Sequence, residues 1–109
     1  MTERAFLGEF EHLVLATALR LRRAYGAELV RALEERTGRA VLGGALYITL
    51  DRLERKGYLV SWMGDPDPVR GGRPKRFVEV TPEGVHALAE HRAALLRVWE
   101  GLETVLGDA

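Results

Sequence analysis

The stretch from Val41 to Thr81 constrains the fold most, because its first half carries the pattern of a helix and its second half that of a β-hairpin. The helical half contains leucines spaced i, i+4 and i+7, which predicts one apolar stripe on an amphipathic helix. These are Leu46, Leu50 and Leu53. Gly57 is expected to end this helix, since glycine commonly follows the last helical turn.

Two runs rich in β-branched and aromatic residues follow, Tyr58 to Met63 and Phe77 to Thr81. Such runs predict strands, and the glycine- and proline-rich segment between them predicts a hairpin with a long tip. The second half of this tip and the start of the next strand are cationic. The cations are Arg70, Arg73, Lys75 and Arg76. A helix followed at once by such a hairpin is typical of a winged helix-turn-helix, in which the helix enters the major groove of DNA and the wing reaches flanking phosphates or the minor groove.

The face of the helix opposite the leucines combines glycine, aromatic, aliphatic and charged residues. They are Gly44, Tyr47, Ile48, Asp51, Arg52 and Arg55. Gly43 and Gly44 have two interpretations: they form the turn before the helix, or they lie inside it at a cost of about 1 kcal/mol each and allow close approach of another backbone.

Length and composition indicate one small domain without disulfides. The chain has 109 residues, a formal net charge of zero and no cysteine, so one core and no cysteine-based zinc site are expected. A neutral protein lacks long-range attraction to phosphate, but the local field decides, and the predicted helix and wing concentrate the cations. The N-terminus lacks a signal-peptide pattern, so a cytoplasmic location is expected.

Two helices are predicted before the Val41–Thr81 stretch, from Leu7 to Arg23 and from about Ala27 to Arg36. Gly38 is expected to end the second. Together with the Leu46 helix they would form the three-helix core, with Tyr25 at the junction between the first two helices. The fold class is therefore α+β, mainly α.

The last helix is predicted to begin with Thr81 as N-cap and Pro82 at its first position. Its apolar residues alternate at spacings of three and four, a heptad seam interrupted by one arginine. The seam consists of Val85, Leu88, Arg92, Leu95, Trp99, Leu102 and Leu106. About 25 residues would extend about 37 Å, too far for one small core to cover. Residues 1–81 are thus predicted to be the DNA-binding domain and residues 82–109 a dimerisation helix, although an intramolecular helix folded back on the domain is the alternative.

The sequence offers no constellation for catalysis. The histidines are His12, His86 and His91, and His86 with Glu90 at i+4 would give a metal two ligands at most. Phosphate-binding loops and nucleophile motifs are missing. We expect neither an enzyme nor a bound metal or cofactor.

Successive short motifs resemble the PadR family of bacterial transcriptional regulators over almost the whole chain, from about Leu7 to Leu106. They include a glycine-glycine-alanine-leucine-tyrosine start of the recognition helix at 43–47, the wing motif at 71–76 and the threonine-proline-glutamate-glycine entry to the last helix at 81–84. The resemblance implies a homodimer formed through the last helix of each subunit. Two-fold symmetry would then direct two recognition helices to a palindromic site with half-sites about 10 bp apart or a multiple of it. Repression is the outcome that the resemblance implies.

The resemblance implies that Tyr25 packs into the core or contacts a phosphate, and that Tyr47 contacts a phosphate. The other contacts are predicted from residue type, and Gly43, Gly44 and Ala45 would let the helix approach DNA. Ile48 would touch a thymine methyl, and Arg52 a guanine or a phosphate. Asp51 is expected to pair with Arg55, or to accept from a cytosine amino group. The wing cations would hold phosphates, although Lys75 or Arg76 has the alternative of pointing across the sheet.

Trp99 has two interpretations. In a dimer it would approach its symmetry mate, where the resemblance implies a site for a small flat aromatic effector, or it simply fills the interface. For the whole chain the alternative function is a winged helix that docks a protein through the Tyr47–Arg55 face without reading DNA.

Overall fold

The structure, a computed structural model, describes residues 7–64 and 74–107 and is mainly helical with one small sheet. In chain order its elements are α1 (Glu9–Leu21), β1 (Ala24–Tyr25), α2 (Gly26–Thr37), α3 (Gly43–Arg55), β2 (Leu59–Met63), β3 (Arg76–Val80), α4 (Pro82–Trp99) and α5 (Glu103–Leu106). Among the helices of these two stretches, none combines the length and hydropathy that crossing a lipid bilayer requires.

Helices α1, α2 and α3 pack around a leucine-rich core, as predicted. The three leucines of the α3 stripe are all buried there, together with Leu15 and Leu29. Gly38 ends α2 in the left-handed conformation with φ +70°, which confirms the predicted stop. The Glu34 carboxylate then accepts a hydrogen bond from the Val41 N–H at 2.9 Å, and this contact fixes the turn that leads into α3.

The sheet has three antiparallel strands in the order β1–β3–β2, one more than the predicted hairpin. Ala24 pairs with Val78 and Tyr25 with Phe77. A two-residue strand is too short to show the period-2 alternation by which strands are recognised in a sequence. Ala24 and Val78 are buried on the inner face of the sheet, so the added strand ties the wing to the junction between α1 and α2.

The entry to α4 follows the predicted cap. Thr81 Oγ1 accepts a hydrogen bond from the Gly84 N–H at 3.0 Å, and Pro82 is the first helical residue. The structure also explains why position 84 is glycine where a capping box has glutamate: a Cβ there would overlap the Tyr58 carbonyl oxygen. The close approach of α4 to this backbone therefore depends on glycine.

The predicted continuous helix over residues 82–109 is interrupted, because α4 ends at Trp99. Gly101 has φ +87°, a backbone conformation that glycine adopts without steric cost, and the short α5 follows. The residues on both sides of the break are exposed, so no packing within the chain holds them in one straight helix. The heptad prediction considered only the apolar positions. Gly101 is not one of them, so the spacing alone predicted an unbroken helix.

Two side-chain contacts join α1 to α3 and to α4. Both carboxylate oxygens of Glu11 accept from Lys56 Nζ, at 3.0 and 2.9 Å, and join α1 to the end of α3. The rings of His12 on α1 and His91 on α4 lie 4.5 Å apart. The Nδ1 atom of each is buried without a hydrogen-bond partner.

Candidate nucleic-acid interface

The face of α3 that points away from the leucine core is open. Gly43 and Gly44 lie in the first turn of the helix, and a Cβ at either position would meet no atom within 4 Å. The open space means that neither glycine is required by packing against the part of the chain that the structure describes. Ala45 and Ile48 are also exposed, the latter to 60%. The N-terminal half of α3 therefore presents small and apolar groups to an external partner.

Tyr47 lies at the edge of this face and packs against α2. Its side chain is partly exposed, and its hydroxyl lies so close to Gly26 that a Cβ on Gly26 would overlap it. Gly26 is the first residue of α2. The tyrosine hydroxyl is thus positioned beside the N-terminus of α2, where helix amides favour a negative group.

Arg76 at the start of β3 is held by two acids of α3. Its Nη1 lies 2.9 Å from Asp51 Oδ1 and its Nη2 3.1 Å from Glu54 Oε1, and 22% of its side chain is exposed. The expected Asp51–Arg55 pair is therefore replaced by a pair with the wing. Arg76 takes the alternative of pointing across the sheet, towards the two acids of α3, and its phosphate contact stays a prediction.

Glu54 is bonded from both strands of the wing, because the Ser61 hydroxyl of β2 also donates to its Oε1. The Ser61 hydrogen bond, followed by the hydrogen bond and charge of Arg76, lowers the pKa of Glu54 despite its partial burial. The pKa of Arg76 is raised, since its bonds to Asp51 and Glu54 outweigh the effect of burial. Both groups are therefore charged at neutral pH.

The outer face of the sheet carries a row of three rings that the sequence analysis did not predict. Tyr25 meets Phe77 edge to face at 5.7 Å, and Trp62 stacks on Phe77 at 6.0 Å. Lys75 Nζ lies 4.2 Å from the centre of the Tyr25 ring. Tyr25 therefore belongs to the wing surface and not to the helical core, and Lys75 is engaged by an aromatic face. The row was not predicted because it depends on the register of the three strands, which pairs Phe77 with both Tyr25 and Trp62.

The remaining cations of α3 differ in their surroundings. Arg52 is exposed, and its charge contributes to lowering the pKa of Glu11, so it lies on the side of α3 nearer α1. Arg55, also exposed, is seven residues from Ile48 and therefore on the same face of the helix. Arg55 was predicted to lie on this face, but it was not predicted to contact DNA. Arg70 and Arg73 lie outside the described residues.

The predicted dimer seam is divided by the structure. Leu88 is buried in the chain's own core. Val85, Arg92, Leu95 and Trp99 are exposed on α4, and Leu102 and Leu106 are exposed beyond the break. Leu96 and Val98 add to the exposed apolar surface at the end of α4. Exposed large apolar residues at this density are typical of a surface that binds another protein.

No cluster of three or more metal-binding side chains of the histidine, cysteine or carboxylate type occurs within residues 7–64 and 74–107.

Comparison with known proteins gives consistent results. Residues 14–90 match the family model described as "Transcriptional regulator PadR-like family". A curated relative, "Transcriptional regulator Rv3488" of Mycobacterium tuberculosis, is 45% identical over 71 residues, which cover 65% of this chain and 62% of the relative. The match thus spans less than two thirds of that relative's length.

Solved structures share the fold. A PadR family transcriptional regulator from Eggerthella lenta superposes with a TM-score of 0.72 at 30% identity, covering 92% of this chain and 83% of that one. A PadR family regulator from Clostridium difficile has a TM-score of 0.75 at 23% identity, with 92% of this chain and 100% of that chain covered. These likenesses confirm the winged helix-turn-helix fold class.

Proposed function

Because the chain belongs to the PadR-like family of transcriptional regulators, we propose that it acts as a homodimer that binds a palindromic operator and represses transcription. Family membership implies DNA-binding regulation. The observation that carries the more specific proposal is the open N-terminal half of α3, where Gly43 and Gly44 have no packing role in the chain. A helix with such a face suits the major groove, since backbone and small side chains allow close approach to DNA.

The contacts with DNA divide into two kinds. We assign Tyr47, whose hydroxyl lies beside the N-terminus of α2, and the tip cations Arg70 and Arg73 to phosphates, which position the protein without reading sequence. Ile48 is assigned to a thymine methyl group, and Arg52 to a guanine edge or a phosphate. Gly43, Gly44 and Ala45 provide the space for this approach. Arg55 joins the proposed contacts because it shares the exposed face with Ile48.

The proposed dimer uses the exposed apolar residues at the end of α4 and in α5. Their burial by a second copy would remove from water a surface that the chain itself leaves uncovered. An isologous interface of this kind places two copies of α3 around a two-fold axis, which accounts for a palindromic operator.

Selection of genomic DNA fragments by the purified protein tests the proposal. The selection is made at roughly 150 mM salt, where non-specific attraction to phosphate is weakened. A Tyr47→Ala, Arg52→Ala double variant serves as the matched control, because both residues are exposed on α3 and their loss leaves the core leucines in place. We expect a few fragments that share an inverted repeat, enriched by the wild type and not by the variant.

Equal enrichment by both proteins would contradict the assigned contacts. The absence of any enriched fragment, from a folded dimer, would favour a winged helix that docks a protein partner. Repression is tested separately with a reporter gene placed behind an enriched fragment: expression should fall when the regulator is supplied, and a rise would assign activation instead.

A small aromatic effector at Trp99 is a second candidate, favoured by the exposure of this ring at the end of α4. Titration of tryptophan fluorescence with planar aromatic compounds would detect such binding. Trp62 also contributes to the signal, so the test compares the wild type with Trp99→Phe. A response that persists in Trp99→Phe would contradict an effector site at Trp99 and leave this residue with packing alone.

A further inference from the structure

We propose that Arg76 is a positioning residue, which locks the wing to the recognition helix through Asp51 and Glu54 and does not itself bind DNA. This inference rests on the DNA-binding role of α3 and the wing. It concerns four side chains, Asp51, Glu54, Ser61 and Arg76, which we call the wing lock.

The geometry of the wing lock supports this role. The two nitrogens at the end of the Arg76 fork reach two different carboxylates one helical turn apart, at 2.9 and 3.1 Å. The Ser61 hydroxyl bonds the second of these carboxylates from the neighbouring strand. Both strands of the wing are therefore attached to one side of α3, and rotation of the wing about its base would break all three bonds.

The charges of the wing lock support the same role. Asp51 and Glu54 lie on the helix that approaches DNA, and an uncompensated carboxylate there would be repelled by phosphates. Arg76 offsets part of this negative charge from a largely shielded position, since 22% of its side chain is exposed whereas 56% of Asp51 is exposed. A guanidinium that turned to a phosphate would leave both acids without this partner. The arrangement thus favours Arg76 remaining on the acids when DNA binds.

The Arg76→Lys variant distinguishes a positioning role of Arg76 from a phosphate contact. A phosphate accepts lysine as a point charge, whereas bridging two separate carboxylates requires the planar arginine fork. Arg76→Lys keeps the net charge, so any loss of affinity cannot come from long-range electrostatics. The matched control is Arg31→Lys, the same substitution at an exposed position of α2 outside the wing lock, which should leave both affinity and exchange unchanged.

The opposite manipulation removes the two acids. Asp51→Asn with Glu54→Gln makes the protein more positive by two charges, which by electrostatics alone strengthens DNA binding. The control with the same change in charge is Glu79→Gln with Glu83→Gln, two exposed acids outside the wing lock. If the lock positions the wing, the first double variant binds DNA more weakly than its control.

Two measurements complete the test. Hydrogen exchange of the protein without DNA should show faster exchange at the amides of β2 and β3 in Arg76→Lys than in the wild type, because these strands lose their attachment to α3. Affinity is measured on a mixed-sequence duplex of about three helical turns, so the result does not depend on a palindromic operator. Arg76→Lys should bind about tenfold more weakly, in the range of coupled polar groups, with an unchanged salt slope.

Wild-type affinity and wild-type exchange in Arg76→Lys would overturn the proposal, as would tighter binding by the variant without the two acids than by its charge-matched control. A phosphate contact would instead show little loss with lysine and, in Arg76→Met, a salt slope lower by about one unit. Thermal melting of each variant checks that it is folded. If the protein selects no genomic fragment, that result counts against the palindromic operator. It does not affect the hydrogen-exchange test, which is made without DNA.

Discussion

At the scale of single residues, glycine has two different uses next to the recognition helix. Gly26 lies against the Tyr47 hydroxyl inside the chain, and a side chain there would displace that hydroxyl. Gly44 has open space around it, so its lack of a side chain matters only to a partner outside the chain. The two positions therefore make different predictions on substitution.

Gly44→Ala should stabilise the isolated protein and weaken its binding to DNA. Alanine in a helix is favoured over glycine by about 0.5–1 kcal/mol, and the added methyl group meets no atom of the chain. The same methyl group would obstruct the close approach that we propose for α3. Urea denaturation and DNA titration measure the two effects. Gly8→Ala, at the N-cap of α1, is the control for DNA affinity only, and a Gly44→Ala variant with unchanged DNA affinity would contradict close approach at this residue.

The His12–His91 contact predicts loss of stability in mildly acidic solution. Burial, followed by the nearby His91, lowers the pKa of His12 below its ordinary value of 6.5. The unfolded chain therefore binds more protons than the folded one as the pH falls through this value, and the free energy of unfolding decreases between about pH 7.5 and 5.5. Glu11 and Glu54 do not contribute in this window, since their pKa values are lowered from 4.5.

Urea midpoints measured across this pH range test the His12 prediction. His12→Gln should reduce the dependence on pH, because it removes the group whose pKa differs between the folded and the unfolded chain. If the wild type and His12→Gln show the same pH dependence, the His12–His91 contact does not lower the free energy of unfolding in acidic solution.

At the scale of elements, the orientation of α3 depends on polar contacts at both of its ends. Glu34 fixes the turn before the helix, and the wing lock fixes its flank. At its C-terminal end, Lys56 bonds the buried Glu11 carboxylate, which also accepts from the Gly8 N–H at 2.8 Å. These last two hydrogen bonds lower the pKa of Glu11 although its burial acts in the opposite direction.

Lys56→Met should therefore destabilise the fold by about 2 kcal/mol, the cost of leaving a buried charged group without its partner. The free energy of unfolding from urea titration measures this cost. Arg39→Met is a matched control, because it removes an exposed pair with Glu9 at 4.0 Å, for which the expected cost is below about 0.5 kcal/mol. Similar costs for the two variants would contradict a structural role for the Glu11–Lys56 pair.

The elements with a clear period were predictable from the sequence, and those set by tertiary contacts were not. The leucine stripe predicted α3, and Thr81 with Pro82 predicted the start of α4. The strand β1 was missed because pairing with β3, not its own two residues, defines it. The partner of Asp51 was also missed, since a helix-only argument considers i+4 and not a strand 25 residues away. Arg76 was consequently assigned to phosphate from its position in a cationic run.

At the scale of the whole molecule, apolar surface is distributed unequally. The three-helix core buries its leucines, whereas Leu95, Leu96, Trp99 and Leu106 remain exposed at the end of the chain. Surface of this kind is costly in water. A second copy of the chain is the occupant that we propose, and the interruption after Trp99 makes α5 a separate part of that interface.

Leu95→Glu should shift the protein from dimer to monomer, because it places a carboxylate in the proposed interface without a partner. Sedimentation velocity measures the change. Val60→Glu is the control: it adds the same charge at an exposed apolar position on the outer face of the sheet and should leave the dimer intact. A Leu95→Glu variant that remains dimeric would locate the interface elsewhere.

Dimeric recognition requires two copies of α3 to read one DNA site, and hydroxyl-radical footprinting of a selected fragment tests this most directly. We predict two protected half-sites, related by an inverted repeat and separated by about 10 bp or a multiple of it, with protection of both lost together in Leu95→Glu. A single protected segment without an inverted repeat, or full protection by the Leu95→Glu monomer, would contradict the proposed dimeric recognition.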